Sequence, residues 1–320
     1  MTGLTREEPI EVGRGGTLGG EPIELSIDVS EAFGELAGLG ATWFPRAASQ
    51  PVLVCMPGGS YNRRYFDLHV PGLDGYSFAE ALQRHGFTVV AFDHLGTGNS
   101  SVLRRDIDLY DQAAAMAAAV RALPQVIEHD GPFVGVGHSM GGQVAVLQQA
   151  SERSFAALAV LGTTTQWVGP LGLSTEMIDT ARTEEGRDAF VQQLLEAMPD
   201  PFLAPDRSDM ASWFHLDDVP RDVVAEDNRL TLTVVPRRCA AEGSAPFILH
   251  EPASHIEIPV FLAYGSVDVS PDPAREVSAF SASRDITLMR LAHSGHCHNM
   301  ASTRSVLWDR IASWITALRL

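Results

Sequence analysis

Apolar residues along this chain fall into short, nearly continuous runs. PVLVCM (51–56), FTVVAFD (87–93), PFVGVGH (132–138) and FAALAVLG (155–162) are each bounded by turn-forming residues. Runs of this length suit strands buried on both faces. Between them the spacing changes. SFAEALQRH (77–85) places Phe78, Ala81 and Leu82 on one helical face, an Ala-rich stretch over 107–123 predicts a helix ending at Pro124, and MGGQVAVLQQA (140–150) predicts another. Strands alternating with helices specify an α/β domain, a mostly parallel sheet covered by helices on both faces. Upstream, IELSIDV (23–29) alternates apolar and polar residues, as a half-buried strand does, and GATWFP (40–45) is its expected partner. Residues 1–20 are rich in Gly and Glu and read as irregular.

The rhythm stops at about 166 and returns at 257. The intervening stretch carries scattered prolines, clustered acids, helical spacing over 177–198 and one strand-like run, LTLTVV (230–235). Then come IPVFLAYG (258–265), a helix near 272–282, ITLMRLA (286–292) and an amphipathic helix over 304–318. The expected organisation is therefore an N-terminal extension with the first strands (1–49), an α/β core made of 50–165 and 257–320, and an inserted cap or lid over 166–256.

Charge and composition narrow the function classes. A formal net charge of −17 repels phosphate backbones and anionic membranes, so no nucleic-acid or membrane partner is expected. All 23 basic residues are Arg. The absence of Lys excludes a Schiff-base lysine and a Walker A lysine. Cys55, Cys239 and Cys297 are too few, and odd in number, for a disulfide framework. No apolar run approaches the roughly 18 residues of a membrane span, and the opening MTGLTREEPI is polar, so a cytoplasmic location is expected.

The most specific chemical signal is Gly137-His138-Ser139-Met140-Gly141, a G-x-S-x-G sequence set between a buried strand and an apolar helix. Such a turn strains the serine backbone and lifts its hydroxyl above the sheet, and glycines at both ends let strand and helix approach. The Met140 N–H, at the start of the helix, faces any oxyanion that forms there. The competing explanation is a plain strand–helix turn whose serine only caps the helix.

With this motif in this setting, residues 50–320 resemble the α/β-hydrolase superfamily, with the insertion standing where that superfamily often carries a cap. The resemblance implies a Ser-His-Asp triad in the chain order nucleophile, acid, histidine. Ser139 is the implied nucleophile. Asp268, in the turn Gly265-Ser266-Val267-Asp268, is the implied acid, with Asp272 and Asp93 as the other carboxylates to weigh. The earlier turn Gly162-Thr163-Thr164-Thr165, where some relatives carry the acid, holds no carboxylate. Three histidines follow the last strand, and His296, directly after Gly295, matches the family pattern better than His293 or His298. The oxyanion loop should follow 51–56. There Pro57-Gly58-Gly59-Ser60 stands in place of a His-Gly start, which puts the second donor at the N–H of Gly59 or Ser60. Asp93-His94-Leu95-Gly96-Thr97-Gly98 resembles a structural loop of the family, and a dinucleotide G-x-G-x-x-G between strand and helix is absent.

The function expected is therefore a serine hydrolase cleaving a carboxylic ester or lactone through an acyl-enzyme, with no cofactor and no metal. Thioester, C–C, peptide or acyl-transfer chemistry would use the same triad, and a binding protein on a repurposed fold is the contrasting class. Ser139 argues against epoxide hydrolases and haloalkane dehalogenases, which carry an aspartate there. The partner expected is a small apolar ester or lactone, with Trp167, Trp213 and Met177 of the insertion as candidate substrate contacts. A homo-oligomer is compatible with all of this.

Overall fold

A computed structural model describes residues 20–46 and 50–320. The expectation for 1–20 thus lies almost wholly outside the described residues. In chain order the core opens with β1 (Ile23–Asp28), β2 (Gly38–Phe44), β3 (Val52–Met56), α1 (Phe78–Arg84), β4 (Thr88–Phe92), α2 (Leu109–Val126), β5 (Phe133–His138), α3 (Met140–Glu152) and β6 (Ala157–Leu161). The inserted segment holds α4 (Thr175–Thr180), α5 (Glu184–Ala197), β7 (Phe202–Leu203), α6 (Ala211–Phe214), α7 (Arg221–Thr231), β8 (Val235–Pro236), α8 (Arg237–Ser244) and α9 (His250–Ser254). The core resumes with β9 (Val260–Gly265), α10 (Pro273–Ala279), β10 (Ile286–Leu291) and α11 (Arg304–Leu318).

Eight strands form one sheet in the order β1-β2-β4-β3-β5-β6-β9-β10. β1 and β2 pair antiparallel and β2 meets β4 antiparallel; from β4 to β10 every pairing is parallel. The continuous apolar runs follow from burial on both sides. In β3, Val52, Val54 and Met56 face the core under α2 and α3, while Leu53 and Cys55 face the core under α1 and α11. β6 and β9 are parallel neighbours, so the segment between them leaves at the carboxyl edge of the sheet and crosses back to the amino edge, where β9 starts after α9. Part of it makes a small core of its own, where Phe190 and Val191 meet Ala241 and Ala245.

Two expectations need correction. α2 does not end before Pro124 but continues to Val126. The proline sits in the last turn, where its missing N–H removes a single helical bond, and Ile127 still donates to the Leu123 carbonyl. LTLTVV (230–235) is not one strand: Leu230 and Thr231 finish α7, and only Val235 joins the two-residue strand β8. Among the described residues, no helix is long and apolar enough to cross a membrane.

Candidate active site

In a parallel sheet the ligand crevice lies beyond the carboxyl ends of the strands. Ser139 follows β5, the loop from Pro57 follows β3, the inserted segment follows β6, Asp268 follows β9 and His296 follows β10. All five therefore meet at one edge.

Ser139 has φ 53° and ψ −118°, a strained conformation for a residue with a side chain. The glycines around it make this turn possible: a Cβ on Gly137 would overlap the Gly141 carbonyl, and one on Gly141 would overlap the Met56 carbonyl. The Ser139 hydroxyl does not cap α3, so the plain-turn explanation leaves the strained serine without a role. Ser139 and His296 line one cavity of about 230 Å3. The Ser139 hydroxyl makes no hydrogen bond to the imidazole in this resting arrangement; such contacts often tighten only when substrate binds.

His296 donates from Nδ1 to Asp268 Oδ1 at 2.7 Å. Its ring packs against Trp213 and Phe214, and its backbone N–H bonds the Trp213 carbonyl at 2.8 Å. Gly162 leaves room for it, since a Cβ there would lie 3.0 Å from His296 Nδ1 and the residue has φ +56°. Burial alone would raise the Asp268 carboxyl, but the adjoining His298 and His296 rings and their hydrogen bonds hold it well below the usual carboxylate range. It is ionised at any working pH.

The other candidates separate cleanly. Asp272 caps α10 through the Ala274 N–H and pairs with Arg275. Asp93 accepts from the Arg63 and Asn99 amides and pairs with the Arg63 guanidinium, so it ties loops together below the cavity. His293 is exposed, whereas His298 is buried against Asp268 Oδ2 at 2.8 Å. The Thr163–Thr165 turn, empty of acids in sequence, receives the buried Glu276 from α10, bound by the Thr164 and Thr165 hydroxyls and the Thr165 amide. Cys297 is no competing nucleophile: burial, with the nearby Asp227 charge, pushes its thiol well up, so it stays protonated.

Loop 57–62 is braced from the insertion. The Ser60 carbonyl accepts from Arg207 Nη2 at 2.7 Å and from the Thr233 amide at 2.9 Å, and the Asn62 amide bonds the Thr231 carbonyl. Arg207 also lies 3.6 Å over the Tyr61 ring and reaches the buried Asp227, which takes the Tyr61 hydroxyl at 2.9 Å. These bonds hold Ser60 at φ 65°. The Tyr61 amide is used by the Gly58 carbonyl, while the amides of Gly59 and Ser60 have no protein acceptor among the described residues. Pro57 keeps a useful carbonyl, which accepts from His94 Nε2 at 2.8 Å. Removing the cation by Arg207→Met should leave Asp227 buried and undercompensated. A loss of about 3–5 kcal/mol in denaturant unfolding is expected; an unchanged midpoint would show that the Tyr61 and Thr231 hydroxyls suffice.

The cavity wall is mostly apolar: Val168, Leu171, Met210, Trp213, Phe214 and Val235 face Ser139. Of the three insertion residues singled out in sequence, Trp213 lines it, while Trp167 meets the Phe247 ring edge-on and Met177 is exposed, neither of them lining it. Among the described residues, the group best placed to hold a metal is Asp67, His69 and Glu80, but none of them lines this cavity, and Asp67 already takes the Ser77 hydroxyl.

A profile described as the Alpha/beta hydrolase family matches residues 53–306, most of the chain. The chain belongs to that family. A comparison with curated protein sequences finds no match. Among solved structures, this α/β hydrolase is similar to a thermostable carboxyl esterase from Bacillus coagulans, at 16% identity and TM-score 0.64 over 93% of this chain and 99% of that one. It is also similar to an esterase from Thermogutta terrifontis (18%, TM-score 0.60, 93% and 100%) and to a monoacylglycerol lipase from Paleococcus ferrophilus (16%, TM-score 0.60, 87% and 98%). At these identities the likeness speaks for the fold.

Proposed function

We propose that this α/β hydrolase cleaves carboxylic esters, lactones included, through an acyl-enzyme on Ser139. The observation that carries the reading is the strained, uncapped Ser139 sharing a cavity with His296, whose far nitrogen is held by Asp268 at 2.7 Å. Ser139 Oγ attacks the ester carbonyl carbon while His296 Nε2 takes its proton. The oxyanion is met by the Met140 N–H, with the α3 dipole behind it, and by the N–H of Gly59 or Ser60. On collapse, the alkoxide leaves with the proton from His296. Water then enters, gives a proton to the same nitrogen and attacks the acyl carbon; the intermediate expels Ser139 Oγ, which takes the proton back from His296, and the acid product departs. Asp268 keeps His296 in the tautomer with a proton on Nδ1 and stabilises the transient imidazolium.

The segment 166–256 reads as a cap over this chemistry, with Trp213 and Met210 as part of its apolar underside. Among the described residues, no Asp, Glu or Arg lines the cavity, which favours an uncharged acyl group. Each methylene buried there is worth about 0.8 kcal/mol, close to fourfold in kcat/KM. A panel of p-nitrophenyl esters and lactones should therefore rise from acetate toward medium acyl chains and reject an acyl group carrying a second carboxylate. A fluorophosphonate probe should label the wild-type protein. No labelling and no turnover across the panel would sink the hydrolase reading, and equal rates for acetate and hexanoate would sink the apolar preference alone.

A further inference from the structure

Asp268 receives four donors, arranged in two matched pairs. Oδ1 accepts from His296 Nδ1 at 2.7 Å and from the Val269 amide at 2.7 Å. Oδ2 accepts from His298 Nε2 at 2.8 Å and from the Gly265 amide at 2.7 Å. Each oxygen thus carries one imidazole and one backbone N–H. His298 is 1% exposed and, unlike His296, does not line the cavity. Its other ring nitrogen, Nδ1, has no hydrogen-bond partner among the described residues. Facing a carboxylate that can only accept, Nε2 carries the proton it donates to Oδ2.

We propose that His298 is a positioning residue for hydrolysis, holding the Asp268 carboxylate in the plane that aims Oδ1 at His296. The inference rests on the reading of Ser139, His296 and Asp268 given above. Without His298, Oδ1 would keep both of its donors and Oδ2 only the Gly265 amide, and the soft terminal torsion of an aspartate would let the less tightly held oxygen rock. The His298 donor on Oδ2 removes that freedom. Rocking would lengthen or bend the His296–Asp268 bond, and with it the direction of the His296 nitrogen that must reach Ser139. Among the described residues, His298 has no charged partner besides Asp268. His138 lies 5.5 Å away between ring centres and is kept neutral by burial and by the two neighbouring histidines. Tyr65, stacked on His138, and Cys297, next in the chain, are both pushed well up by burial and stay protonated. Asp227 is engaged by Tyr61, Thr231 and Arg207.

The test compares His298→Leu, which keeps bulk without a donor, with His298→Gln, which keeps an N–H near the position of Nε2. Kinetics on the best ester of the panel should show kcat reduced about 10–100-fold in His298→Leu with KM within about twofold, and His298→Gln within about threefold of wild type. In an Asp268→Asn background, His298→Leu should change kcat less than about twofold, because its effect runs through the carboxylate. A folded His298→Leu with wild-type kcat would overturn the inference. So would the same proportional loss in both backgrounds, which would assign the effect to packing. Should the leucine variant not fold, His298→Asn, too short to reach Oδ2, carries the same comparison. Wild-type kinetics in His298→Leu beside a dead Ser139→Ala would remove this inference and keep the proposed hydrolysis, whereas an active Ser139→Ala would remove the hydrolysis reading itself.

Discussion

Ser139→Ala is expected to lose about 10⁴-fold or more of ester hydrolysis in kcat and to unfold at the wild-type denaturant midpoint. The two halves of that result have separate causes. The hydroxyl makes no capping bond, so removing it leaves no orphaned partner in α3. The backbone strain at φ 53° stays, because alanine bears the same Cβ against the same turn. Stability should therefore move by less than about 0.5 kcal/mol. Chemistry has no substitute nucleophile. Cys239, the cysteine that lines the cavity, has its thiol pushed well up by burial, and so have Cys297 and Cys55, so all three stay protonated. What remains would come from the oxyanion donors and apolar binding, as in other serine hydrolases stripped of the nucleophile. Activity above a tenth of wild type, measured after excluding contamination by the active enzyme, would remove Ser139 from the mechanism.

Much of the scaffold was legible because burial on both faces writes itself into a strand as an unbroken apolar run. The helix over 304–318 matches the observed span residue for residue, since one face carries Leu307, Ile311, Trp314 and Ile315 into the core. Where local pattern failed, tertiary contacts had overruled it. Thr231 looks like a strand residue by type, yet its hydroxyl bonds the carbonyl and side chain of Asp227 one turn back, and Asp227 is fixed by Tyr61 and Arg207. That network settles α7, and no window around 230–235 contains it. The bond from Arg207 to Ser60 spans 147 residues, so nothing in the loop motif Pro57-Gly58-Gly59-Ser60 announces its brace. Trp167 and Met177 were apolar residues in an insertion, but apolar residues there also serve the insertion's own packing. His298 stood in plain sight beside His296. The signal that could have raised it is its position two residues on, where an extended or tightly turned backbone brings both rings to the same side.

Asp268→Asn is expected to lower kcat at least about a thousandfold, the second largest effect, and to cost roughly 2–4 kcal/mol of stability. Asparagine has one acceptor oxygen where Asp268 uses two, each holding an imidazole and an amide. The new NH₂ group must face a pair of donors. If it faces the Oδ1 side, His296 is driven to the tautomer protonated on Nε2 and cannot take the Ser139 proton. If it faces the Oδ2 side, His298 can flip its proton to the unpartnered Nδ1, His296 keeps its tautomer, and the Gly265 amide is left orphaned. Even then the negative charge that stabilises the imidazolium is gone, so the loss remains large in either arrangement. The stability cost should follow pH in one direction. The native carboxyl sits well below the unfolded value of about 3.9, so its contribution is complete above that value and disappears as pH falls below it toward the native value. Urea titrations should thus show the gap between wild type and Asp268→Asn shrinking below about pH 4. An Asp268→Asn enzyme within tenfold of wild type would mean that another carboxylate serves His296, and Asp93 would be the first to test.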